Sequence, residues 1–315
     1  MLKPVHNIKN SSFIVPGRPQ KNGYLYIHYH NLDAIHNIAG FNTTRIMRRK
    51  NPYPVLVATE AEKNALLSVR EYIRTSVSPI SQGTPARQSM MIVDIYKIGK
   101  SLIQNNQSVP QPLETKQKIF IAVYRAVENL EVSVGLSNLG INDKLYLLGH
   151  GSGGVDIVGS IEDSAYNCTM QQYAQILQEN NLSKQIRDLR AVWCESANHQ
   201  SILKRVILPP LKMQWPQANF SDVLSIIPAQ ALSTALARIG YRDIEVHGYQ
   251  GFSAIYPEEV SSPEFFKRRY MQVTEVHKMI SDNPFDVQQM ERREDMRRAS
   301  TVRKTYRNGY EVKRC

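Results

Sequence analysis

Two reactive side chains stand out by type and setting. His150 closes the apolar run Lys144-Leu-Tyr-Leu-Leu-Gly-His150-Gly151, and Cys194 closes Leu189-Arg-Ala-Val-Trp-Cys194, 44 residues further on. Each run reads as a buried strand that stops at a polar group. In an open parallel sheet, strands deliver their C-terminal ends to one edge, where ligands bind. A His and a Cys delivered there together form a thiolate–imidazole couple. The thiolate is the nucleophile, and the same imidazole returns a proton to the leaving group. The acyl intermediate also needs oxyanion donors, for which the amides of Gly151 and Cys194 are suited by position. Taken singly, each residue has a plainer use: a strand-end Cys is commonly a small buried hydrophobe, and His150 alone would serve as a structural histidine. It is the conjunction of strand-His-Gly, helix and strand-Cys that favours catalysis.

The elements needed to position this pair are legible as alternating strands and helices. Tyr24–His30 alternates like a strand or hairpin arm. Pro54–Ala58 is a short apolar run, and Glu60–Val77 places Ala61, Ala65, Leu66, Val69, Tyr72 and Ile73 at helical spacing. Met90–Tyr96 reads as a strand, Glu114–Leu130 as a helix, and Thr169 with Gln172 as a capping box opening another. Phe220–Ile239 reads as a helix despite Pro228, and Asp243–Gly251 as a further strand. Such alternation predicts an α/β fold, a mostly parallel sheet flanked by helices. Residues 1–52 read as an N-terminal extension, 53–258 as the catalytic domain, and 259–315 as a helical segment with a basic tail.

The arrangement resembles the caspase-like (clan CD) cysteine peptidases, and the Leu-Leu-Gly-His-Gly form is nearest to the cysteine protease domains of bacterial toxins. The resemblance covers about residues 53–255 in architecture, with its specific motifs in 143–154 and 189–198. It implies a caspase-like three-layer sandwich, a cysteine endopeptidase in a toxin or effector setting, Cys194 as nucleophile, His150 as proton shuttle, and an oxyanion hole from Gly151 and Cys194. A strict third triad member is not implied. The sequence departs from the family at bulky Trp193 before the nucleophile and at Glu195 after it, whose charge opposes a thiolate. The segment Gly248, Tyr249, Gln250 and Gly251 is the expected substrate pocket.

Two other classes compete. Leu147-Leu-Gly-His-Gly-Ser-Gly-Gly154 nearly matches the nucleophile elbow of α/β-hydrolases, but the residue two before Ser152 is His150 instead of Gly, so the register is wrong. A non-enzymatic interaction module would use the basic tail, which carries nine Lys/Arg against four acids over residues 291–315. Arg297-Arg-Ala-Ser300 there also matches a basophilic kinase site. A second basic cluster is Arg45, Arg48, Arg49 and Lys50. With a net charge of +11, these patches suit an anionic activator or surface, while no nucleic-acid-binding signature is present. The partner expected is a protein or peptide substrate, with no cofactor and no metal. Three cysteines exclude a disulfide scaffold; Cys168 reads as structural and Cys315 as terminal, and His199 is a spare candidate base. The sequence shows no membrane-span pattern and no secretory h-region, so the expected location is cytoplasmic, or exported without a classical signal peptide.

Overall fold

A computed structural model describes residues 22–76, 90–108, 113–151, 153–194, 196–198, 226–253, 268–271 and 296–313. Its centre is a sheet of eight strands. In chain order the strands are β1 (Gly23–Tyr26), β2 (Val55–Val57), β3 (Val132–Val134), β4 (Lys144–Leu148), β5 (His150–Gly151), β6 (Val158–Gly159), β7 (Asp188–Val192), β8 (Glu245–Tyr249), β9 (Phe252–Ser253), β10 (Arg268–Met271), β11 (Met296–Arg298), β12 (Arg303–Arg307) and β13 (Tyr310–Glu311). The large sheet runs β13-β12-β8-β7-β4-β1-β2-β3; β9, β10 and β11 form a small antiparallel sheet, and β5 and β6 a hairpin. From β3 to β8 every pairing is parallel. Strands β12 and β13 add antiparallel at the β8 edge.

The helices are α1 (Leu32–Met47), α2 (Glu60–Thr75), α3 (Met90–Ser108), α4 (Thr115–Glu128), α5 (Met170–Glu179) and α6 (Pro228–Arg238). Their starts follow local chemistry. The Asn31 and Thr59 side chains accept the amides of Ala34 and Glu62, and Thr169 and Gln172 complete the expected capping box. Pro228 stands in the first turn of α6, where its missing N–H has no intrahelical partner to lose. It therefore begins the helix that the sequence reading ran through it.

Strand alternation sorts the core into two layers. On one face Leu25, Val55, Val57, Leu148 and Val192 pack with α1, α2, α3 and α4. On the other, Tyr26, Leu145, Leu147, Leu189 and Ala191 pack with α5 and α6. Each fully buried Leu or Val contributes about 1.5–3 kcal/mol, so both layers are held by non-local burial. Among the described residues no helix is long and apolar enough to cross a membrane.

Three further segments differ from the sequence reading. Met90–Tyr96 is the first part of α3, not a strand. Ile92, Val93 and Tyr96 are buried, a spacing of one, three and four that suits one side of a helix, whereas a short β-branched run alone is ambiguous. Residues 23–47, expected in an extension, supply central strand β1 and helix α1 of the main body. The described part of the basic tail carries strands β11, β12 and β13, and Arg307 pairs with Glu245 at 2.7 Å and Lys304 with Glu311 at 3.5 Å. The expected helical character of 259–295 falls almost wholly outside the described residues.

Candidate functional site

Chain order across the sheet reverses between β1 and β4: from β1 the chain goes outward to β2 and β3, then returns to β4 on the other side. Crevices at such switch points are where open α/β sheets bind ligands. The turn after β1 here is Ile27-His-Tyr-His-Asn31. It contains no glycine and is filled with rings, so it lacks the backbone access that a dinucleotide pyrophosphate requires. What stands at this edge instead is Asp33, in the first turn of α1, where the helix dipole favours a carboxylate.

His150 reaches this carboxylate. Its Nε2 lies 2.9 Å from Asp33 Oδ1, with Asp33 only 2% exposed and the imidazole 22%. Asn37 Nδ2 donates to the same oxygen at 3.1 Å and lies 3.1 Å from Nε2. Ser160 Oγ donates to Oδ2 at 3.1 Å, and Tyr29 also hydrogen-bonds the carboxyl. Burial alone would raise the Asp33 pKa. The hydrogen bond and charge of His150, joined by Tyr29 and Ser160, outweigh it and hold the carboxyl below its usual range. With Asp33 accepting from Nε2–H, the imidazole keeps Nδ1 for other work. Close by, burial pushes the His36 pKa down to about 4.

Cys194 follows the adjacent strand. In the β4–β7 register the last pair is Leu148↔Val192, so His150 and Cys194 each stand two residues past the same level, beyond which His150 pairs with Gly159 of β6. Cys194 is half-buried and not disulfide-bonded. Its loop is tied down by Ser196, which is wholly buried. The Ser196 hydroxyl donates to Ala191 O at 2.9 Å and accepts from Tyr249 N at 2.8 Å, and Ser196 O accepts from Ala229 N at 2.9 Å. Ala197 N donates to Tyr249 O at 3.1 Å. The Cys loop is thus fixed to β8 and to the start of α6.

The two loops touch through Gly151 and Trp193. A Cβ on Gly151 would lie 2.6 Å from the Trp193 ring, so glycine is required there for packing as well as for access. Trp193, the bulky residue noted before the nucleophile, is 1% exposed and packs edge-on to Tyr173 of α5. It fills the core beneath the site.

The remaining expectations fall as follows. Gly248 and Tyr249 lie within β8 and are buried; a Cβ at Gly248 would meet Ala229 and Ser196. Gln250 N bonds Val302 O at 3.0 Å, and Gly251 turns at φ 89°. This stretch supports the Cys loop and offers no opening at Gly248 or Tyr249. Cys168 is buried beside His28, and burial raises its thiol to about 12. Ser152, Glu195, His199 and Cys315 lie outside the described residues. Asp33 was missed by the sequence reading. Its one local signal is Asn-Leu-Asp at the start of a helix; nothing along the chain connects it with His150, 117 residues away.

Compared with models of known protein families, with curated proteins and with solved structures, the chain matches none.

Proposed function

We propose that this protein is a cysteine endopeptidase of caspase-like architecture, a three-layer sandwich in which Cys194 is the nucleophile, His150 the proton shuttle and Asp33 the group that orients the shuttle. The observation that carries the reading is the 2.9 Å Asp33–His150 hydrogen bond, made at the edge where the neighbouring strand β7 ends two residues before Cys194. A buried carboxylate held below its usual range, locking one imidazole tautomer beside a strand-end thiol, is costly to maintain for structure alone.

In the proposed reaction His150 Nδ1 accepts the Cys194 proton, and the thiolate attacks the scissile carbonyl carbon. The carbonyl π electrons move to oxygen, where the Gly151 and Cys194 amides donate to the oxyanion. Collapse breaks the C–N bond, and imidazolium Nδ1–H protonates the departing amine. Water, deprotonated by the same nitrogen, then hydrolyses the thioester and restores the thiol. Asp33 stays ionised and stabilises the imidazolium in both halves.

The test is alkylation with iodoacetamide at neutral pH, read by peptide mapping, on the wild type, Cys194→Ala and His150→Ala. Cys194 should react at least tenfold faster than Cys168 and slow when His150 is replaced. A peptide library should then be cleaved by the wild type and not by Cys194→Ala. Ordinary thiol reactivity at Cys194, indifferent to His150, sinks the dyad. A fast thiol that cleaves no peptide sinks the peptidase reading while leaving a thiol-dependent amide chemistry.

A further inference from the structure

About 20 Å along α1 from Asp33, at a rise of 1.5 Å per residue, the helix ends beside a cavity of about 430 Å³. It opens where the last turn of α1 meets α3 and α4. Ile46, Met47, Ile103, Leu113 and Ile121 make apolar walls, and Asn106, Lys118 and Arg125 supply the polar lining. Lys118, Ile121, Ala122 and Arg125 occupy one stripe of α4, at i, i+3, i+4 and i+7. The stripe therefore presents a buried apolar centre between two exposed cations.

The charge balance is one-sided. Among the described residues no acid lines the cavity, and neither Lys118 nor Arg125 forms an ion pair. Arg48, Arg49 and Lys50, all exposed, follow α1 directly and add to the positive potential. Arg45 is engaged elsewhere, stacked 3.3 Å over Tyr53 and donating to Asn51 O.

These features define the ligand by chemistry. The volume is at the lower end for small-molecule sites, which combine apolar walls with a few polar groups. Among the described residues no aromatic ring lines the cavity, so a nucleobase finds no stacking platform in these walls. Among the described lining residues Asn106 is the single neutral hydrogen-bonding side chain, too little for a sugar. From this we infer that the α1/α3/α4 cavity binds a free, single-chain amphiphilic anion, its alkyl chain against Met47, Ile103 and Ile121 and its head group at Lys118 and Arg125. Because Ile121 and Ala122 are recessed and buried, a flat bilayer surface does not reach them, whereas a monomeric chain does. The site is independent of Cys194 and stands or falls without it.

The experiment uses the full chain with ¹³C-labelled Met and Ile methyls, titrated with decanoate below its micelle concentration. Saturable shifts are expected at Met47, Ile103 and Ile121. Decanol should bind at least tenfold more weakly, and inorganic phosphate should leave these methyls unmoved. The surface double variant Lys118→Glu/Arg125→Glu should lose at least tenfold in affinity while distant methyls keep their positions; Met47→Glu, which puts a like charge in the wall, should do the same. The inference is overturned if decanoate gives no saturable shift, or if charge reversal or removal of the head-group charge leaves affinity unchanged. It is equally overturned if phosphate alone moves the same methyls, or if anionic phosphatidylserine vesicles do so where decanoate does not.

Discussion

The loop after β4 and the loop after β7 reach the same edge but are held by opposite means. The His150 loop is held by charge: a buried carboxylate on α1 is reached by an imidazole, a hydroxyl, a phenol and an amide. The Cys194 loop is held by neutral bonds, chiefly from the Ser196 hydroxyl to backbone, and by burial of Trp193. The difference matches what each group would do in the proposed reaction. An imidazole that cycles between neutral and charged needs a fixed tautomer and a counter-charge. A thiol needs only position, and a charged support there would perturb its ionisation.

Substitutions on the two sides should therefore fail differently. Asp33→Asn keeps the shape but removes the charge. It should slow Cys194 alkylation and any peptide cleavage about 100-fold, with a changed pH profile and little change in KM, since general acid–base groups contribute about 10²–10⁴. An effect confined to KM or to thermal stability would make Asp33 merely structural.

Next is His36, buried behind the same carboxylate. Its folded pKa, about 4 against an unfolded 6.5, means the unfolded chain binds the extra proton between those values. Stability should fall as pH drops from 6.5 to 4, by roughly 3 kcal/mol at 1.36 kcal/mol per unit. Asp33 titrates below this window, its contribution being full above its unfolded pKa and lost only as pH falls through the lower folded value. Urea unfolding of His36→Gln should show a flatter dependence between pH 6.5 and 4; an unchanged slope would refute the burial argument.

On the Cys side, Ser196→Ala leaves the Tyr249 amide buried without its acceptor. The expected loss is about 2 kcal/mol in denaturant unfolding, with no change in the pH profile of Cys194 labelling. A shifted profile would mean that the two loops are not separately supported. Smallest is Ser160→Ala, which removes one of several donors to Asp33. It should cost about 1 kcal/mol and lower the labelling rate severalfold, in the same direction as Asp33→Asn.

Local chemistry made much of the scaffold readable. The Thr169–Gln172 capping box, the periodic apolar positions of α2 and α4, and the apolar runs of β4, β7 and β8 are properties of neighbours in sequence. Met90–Tyr96 was misread because a short, largely apolar run satisfies a strand and a buried helix alike, and only the partners covering Ile92, Val93 and Tyr96 decide. The tail was misread for a related reason: alternation in Arg303–Arg307 is masked by its charges, and it becomes a strand because β8 has a free edge.

By itself, then, the sequence determined the helix caps, the parallel α/β alternation and the two strand-end residues His150 and Cys194, because each depends on contacts within a few positions. Tertiary structure alone decided that β1 lies next to β4. That adjacency brings Asp33 to His150 across 117 positions, and it likewise sets Trp193 against Gly151. Sheet order is fixed by which faces bury together, a sum over distant residues that no local pattern records.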